Sequence, residues 1–302
     1  MKISFFCPIW GMVPDYKDTI EGSLEPILER IKEAGYDGVE MAIPHNDVQK
    51  ETLIRLLRDF DLEIIALQWA ANGSTLKKYL ESFEEHIRSA NDVNPLFINS
   101  HTGADYFPYS DNSMIIKKAF ELSKKLGVKI VHETHRGKFS FHAATIQKYL
   151  NEHSELRLTA DFSHWCNVSE SYLMNQKENV INAIYRTDHL HARVGHTQSC
   201  QVGDPRAPEW KLALNHHLTW WDNIIEIHKK TRSPGFTITP EFGPSQSNYM
   251  PTLPYTMQPV SDQWSINLWM KDFLKDRYSS NNWQPDTKIL QRTASKLIDK
   301  ES

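Results

Sequence analysis

Four short clusters of titratable residues punctuate the chain: HETHRG at 132–137, DFSHW at 161–165, HLHARVGH at 189–196 and PEFGP at 240–244. Each follows or ends an apolar run. A buried carboxylate or imidazole is costly unless it is paired, hydrogen-bonded or bound to a metal. Glu133, Asp161, His191 and Glu241 are the candidates. Glu133 and Asp161 lie 28 residues apart, Asp161 and His191 30, and His191 and Glu241 50. The first two gaps each match one strand–helix repeat, and the third a repeat plus a long loop. Three carboxylates and one imidazole form an oxygen-rich set. It suits one divalent ion, Mn, Mg or Co before Zn, rather than a thiolate zinc site. Taken singly, an acid at a strand end is as readily a helix N-cap or a salt-bridge partner. Recurrence at four strand ends is what favours a shared ion. His189 and His191 are two apart and share a strand face; His191, nearer the strand end, is the expected ligand.

The elements that must position these groups are visible as two alternating patterns. Apolar runs occur at 2–6, 37–43, 62–68, 95–100, 129–133, 156–161, 188–194 and 236–241. Continuous apolar runs suit a parallel sheet covered on its outer face by helices. Helical spacing occupies 23–35, 48–60, 75–92, 113–127, 142–151, 175–186, 217–231 and 259–275. The first helix places Leu24, Ile27, Leu28 and Ile31 on one face and stops at Gly35. Eight strand–helix repeats predict an α/β fold, a single-domain (β/α)8 barrel over 1–275, with 276–302 as a polar tail packing on or near it. In such a barrel the strand C-termini converge on one face, where chemistry occurs. The long segments 194–216 and 244–258 are expected at that mouth.

Composition agrees with an ordinary globular protein. The 302 residues are 40% apolar and 24% charged. A net charge of −4 argues against a general electrostatic grip on nucleic acid. Cys7, Cys166 and Cys200 form an odd set with no C-x-x-C, so neither a disulfide framework nor a zinc ribbon is expected. The N-terminal apolar run breaks at Pro8 and reads as a first strand rather than a leader, and no run reaches the length of a membrane span. A cytoplasmic location and no membrane partner are the expectations. The aromatic residues Trp210, Trp220, Trp221, Tyr249, Tyr255, Trp264 and Trp269 follow the last two strands. Packing of the terminal helix on the barrel is their expected role; a lid or a homo-oligomer contact is the alternative.

The chain resembles the xylose isomerase-like barrel superfamily, which includes sugar isomerases and epimerases, inosose dehydratases and endonuclease IV. The resemblance covers about residues 1–245. It rests on IKEAGYDGVE at 31–40, a Glu ending strand 5, D-x-x-H after strand 6, H-x-R on strand 7 and a Glu ending strand 8. It implies Glu133, Asp161, His191 and Glu241 as ligands of a divalent metal, and His164 as a substrate or second-metal residue. Endonuclease IV-like members carry more ligands. Here Trp69 stands where a histidine is wanted, and QVGDPRAP offers Asp204 but Arg206 where a further ligand would fall. The sequence therefore departs from the nuclease pattern.

The resemblance implies proton transfer next to the carbonyl of a sugar or polyol-like substrate, through an enediolate stabilised by the metal. Glu133 and Glu241 would exchange the proton. Opposed carboxylates give epimerisation; return from the same face gives aldose–ketose isomerisation. Trp69 would stack on the sugar, and His101, His135, Arg193 and His196 would orient its hydroxyls. Arg193, on the His191 face, would fork a carboxylate or phosphate, which points to an acidic or phosphorylated sugar. Glu40, ending strand 2, would contact substrate or pair with an Arg or Lys in the barrel. The alternatives are a dehydratase, a phosphodiesterase and a barrel that binds carbohydrate without turning it over.

Overall fold

Eight parallel strands close into a barrel in the order of the sequence, β1 pairing with both β2 and β8 in a computed structural model of the chain. The structure describes residues 1–12, 24–231, 233–280 and 283. The strands are β1 Lys2–Pro8, β2 Gly38–Ala42, β3 Glu63–Gln68, β4 Ile98–Ser100, β5 Ile130–Glu133, β6 Leu158–Ala160, β7 Thr187–His191 and β8 Gly235–Thr239. The helices are α1 Leu24–Glu33, α2 Asp47–Asp59, α3 Leu76–Asn91, α4 Tyr109–Leu126, α5 Ile146–Glu152, α6 Phe162–Val168, α7 Lys177–Tyr185, α8 Lys211–Lys230 and α9 Gln263–Ser279. The expected (β/α)8 barrel is the fold observed. Among the described residues no helix is long and apolar enough to cross a membrane.

Local chemistry explains the helix limits. Thr75 caps α3 by accepting from Lys78 N, and Tyr79, Phe83, Ile87 and Ala90 recur on its buried face. α4 ends at Gly127, whose φ of 70° suits a residue without a Cβ. α8 begins six residues before the predicted 217, because a 3-10 turn at Pro208–Trp210 runs directly into it. α6 was not predicted. It follows Asp161 at once, so the chain turns sharply at the strand end. α9 continues to Ser279, through the start of the expected tail; beyond Ser280 that tail lies outside the described residues except for Trp283.

The strands' outer faces bury Val39, Met41 and Ile64 against helical residues such as Leu28, Ile31, Leu53 and Leu57. Inside the barrel Phe6, Ile65, Phe97 and Val131 form a separate apolar cluster. Burying a side chain of this size contributes roughly 2 kcal/mol. This plug supports a polar layer in which Glu40, Asn99, Thr159, His189 and Thr239 are all buried.

Candidate active site

Parallel strands present all their C-terminal ends on one face, and the four acidic and imidazole groups meet there. Glu133 and His191 end β5 and β7, Asp161 follows β6, and Glu241 lies two residues beyond β8. All four are buried, and one ligand atom from each falls within 4.8 Å of the others. His191 Nδ1 lies 2.7 Å from Glu241 Oε2 and 3.5 Å from Glu133 Oε2.

A scaffold of hydrogen bonds fixes this group. The Asn99 amide donates to Glu133 Oε2 at 3.2 Å and to Glu40 Oε1 at 2.9 Å, while Thr159 Oγ1 donates to Asn99 Oδ1 at 2.8 Å. Asp161 divides its carboxylate. Oδ1 caps α6 by accepting from Ser163 N at 3.1 Å and also accepts from the Ser163 hydroxyl. Oδ2 faces the site, where Arg193 Nε donates to it at 3.0 Å. One oxygen of Asp161 thus caps α6 while the other turns toward the cluster. Arg193, 1% exposed, also reaches Glu241 Oε2 at 2.5 Å. One layer deeper, His189 Nε2 lies 3.2 Å from Glu40 Oε2, and His191 Nε2 lies 3.0 Å from Glu40 Oε1. Both histidines of β7 face inward. Glu40 pairs with these two imidazoles rather than with the Arg or Lys considered from the sequence.

Electrostatics show how charge is shared in this cluster. Burial pushes the Asp161 carboxyl up to about 6, against the pull of Arg193, and Glu241 and Glu133 add to the rise. Burial also acts to raise Glu133, but His101 and His191 outweigh it and hold the group well below the usual carboxylate range. His101 Nε2 lies 2.8 Å from Glu133 Oε2. Burial acts to lower the His191 imidazole, but Glu241, Glu40 and Glu133 outweigh it and hold the group well above its ordinary range, so this ring and Arg193 carry the charge that offsets the carboxylates. The buried Glu133 Oε1 makes no hydrogen bond among the described residues. Such an orphaned acceptor in a buried polar site calls for a partner. Three carboxylate ligands with one imidazole fit a divalent cation of the Mg, Mn or Co type.

The cluster lies at one side of a cavity of about 870 Å³. Its lining includes Glu40, Trp69, His101, His135, Arg193 and Glu241. Trp69 is 56% exposed at the rim. His164 is fully buried behind His135, with ring centroids 3.9 Å apart, and its Nε2 is 3.5 Å from Asp161 Oδ2. His196 is not brought to the cavity. It stacks on Trp210 at 4.7 Å, because its loop folds back through a bridge to Ser199. Arg206 also stays away, clasping Asp204 within its own loop. Sequence reasoning missed Asn99, Lys138, Trp10 and Thr239, and it expected Tyr249, which lines the cavity, to pack the terminal helix. Asn99 carried a signal, as a polar residue inside an apolar strand; Trp10, Lys138 and Tyr249 lie on loops whose paths periodicity does not report.

Residues 28–250 match the family described as xylose isomerase-like TIM barrel, and the chain belongs to that family. No curated protein matched the chain by sequence. Solved structures share the fold. A 3-keto-D-glucoside 4-epimerase from E. coli is 12% identical with a TM-score of 0.59, covering 91% of this chain and 99% of its own. A probable 3-DHS dehydratase from Bacillus anthracis is 15% identical with a TM-score of 0.55, covering 92% and 100%. A xylose isomerase-like TIM barrel protein from Mycobacterium smegmatis, in complex with magnesium, is 12% identical with a TM-score of 0.60, covering 90% and 95%.

Proposed function

We propose that the protein is a metal-dependent isomerase or epimerase that moves a proton at the carbon beside a sugar carbonyl. The observation that carries this reading is the buried set of Glu133, Asp161, His191 and Glu241, four donors converging beside a cavity of substrate size. These four residues would hold one divalent cation. When bound, the cation supplies positive charge that stabilises negative charge developing on a neighbouring substrate oxygen. Glu241 lines the cavity and takes the proton from the substrate carbon. Arg193 holds its carboxylate in place through Oε2. Glu133 carries the unpartnered Oε1 and returns or accepts the proton on the other side. His101 fixes Glu133, and Asp161 acts through the cation and Arg193 rather than on carbon. Trp69 offers an apolar face for a sugar ring, and His101 and His135 offer hydrogen bonds to hydroxyls.

The resemblance in fold to an epimerase and to a probable dehydratase supports both outcomes of the same proton removal. Loss of a β-hydroxyl after that removal is the second reading. The test is incorporation of deuterium from solvent into a panel of ketoses, ketosides and inososes, followed by NMR with the metal supplied. Exchange at the carbon beside the carbonyl is expected, falling at least about 100-fold in Glu241→Gln and Glu133→Gln. Elimination would appear as loss of a hydroxyl carbon. Unchanged exchange in both variants overturns the proposed roles.

A further inference from the structure

The basic side chains around the cavity do not all have partners. The Nε and Nη2 atoms of Arg193 are committed to Asp161 and Glu241, and Nη1 makes no hydrogen bond among the described residues. A bidentate grip on substrate from that residue is therefore unavailable. Lys138 is different. It is half-buried and lines the cavity with His101 and His135, whose rings lie 4.4 Å apart. Its ammonium makes no hydrogen bond and no ion pair among the described residues. Arg136, two residues earlier, likewise has no carboxylate within ion-pairing distance among them; its guanidinium packs over Tyr249 at 5.0 Å and donates to Cys200 Sγ. Burial lowers the Lys138 ammonium from its ordinary value, with Glu133 and Asp105 opposing from longer range. A partly desolvated cation left unpaired is costly, and it costs less when a ligand carries the counter-charge.

We infer that Lys138, with His101 and His135 beside it, forms a subsite for anionic oxygens, so that the substrate is a sugar bearing a carboxylate or a phosphate. This rests on the sugar reading above and narrows it. The anion sits on the β5–α5 loop side of the cavity, whose lining also includes the apolar residues Ile43, Pro44, Leu67 and Ala70. The sugar's charged end meets Lys138, and these apolar residues are available to its neutral part.

The experiment is a thermal-unfolding titration of the protein as purified, with inorganic phosphate, acetate or chloride at constant ionic strength. Wild type, Lys138→Met and Lys138→Arg are compared. A saturable rise of about 3 °C over chloride is expected in wild type with phosphate or acetate. It should vanish in Lys138→Met and persist in Lys138→Arg. The anion giving the larger rise assigns the charged group. No rise over chloride in wild type, or a rise that survives Lys138→Met, overturns the subsite. Because no turnover is read, this result stands apart from deuterium exchange, which tests the reaction alone.

Discussion

Arg193 is tied to Glu241 by a charged hydrogen bond of 2.5 Å across the joint between β7 and the β8 loop. The same guanidinium holds Asp161 at 2.9 Å, so one buried cation serves two of the four proposed metal ligands. Arg193→Met should leave both carboxylates buried without it, destabilising the metal-free protein by about 3–5 kcal/mol. Added Mn or Mg should then recover more of the melting temperature in the variant than in wild type. Equal recovery in both, measured by thermal unfolding across a metal titration, would mean that Arg193 and the ion do not share these ligands.

Metal removal should be visible without any substrate. If an ion is held at a hundred times its dissociation constant, binding adds about 2.7 kcal/mol to folding. Chelation of wild type should lower the melting temperature by about 5–10 °C, reversed by Mn or Mg. Asp161→Ala should melt at one temperature with or without chelator, and elemental analysis should find it depleted of the metal carried by wild type.

Asn99 is predicted to be a positioning residue. Its amide satisfies Glu40 and Glu133 together, and a hydrogen bond to a charged group contributes about 1.5–3 kcal/mol. Asn99→Ala should lose about 3 kcal/mol in urea unfolding and weaken metal affinity, since Glu133 is then free to turn. Unchanged affinity with reduced stability would confine Asn99 to the fold.

His217 predicts an acid sensitivity unrelated to the site. Burial lowers its imidazole to about 4, despite the help of a bond from Nδ1 to Ala213 O. Its Nε2 accepts from Gly195 N at 3.3 Å, so the neutral ring links the loop after β7 to α8. The unfolded chain takes up a proton near pH 6.5, while the folded chain does so only near 4. Stability is thus complete above about pH 6.5 and falls as pH drops toward 4. His217→Gln should flatten that part of a plot of melting temperature against pH.

Much of this architecture was legible in the residues. The eight apolar runs mark the strands because each is buried on both faces or carries the mouth residues. Strand-end acids stood out because burial makes them expensive. Asn99 was legible but overlooked inside an apolar run. Lys138 was not, because its approach to the cavity depends on a loop that turns through Gly137 at φ 75°. His196 failed for the same reason in reverse: it is near His191 in sequence, but its loop carries the side chain to Trp210. The pairing of Glu40 with His189 and His191 joins β2 to β7, a contact set by closure of the barrel and invisible to local spacing.

That closure has a consequence for biogenesis. β8 must insert between β7 and β1, the last strand joining the first. A chain emerging from its N-terminus carries Glu133, Asp161 and His191 well before Glu241, the carboxylate that follows the final strand. The fourth donor arrives only with the strand that seals the ring. Acquisition of the proposed ion would then coincide with completion of the fold, and the loaded protein would be, by construction, a finished one.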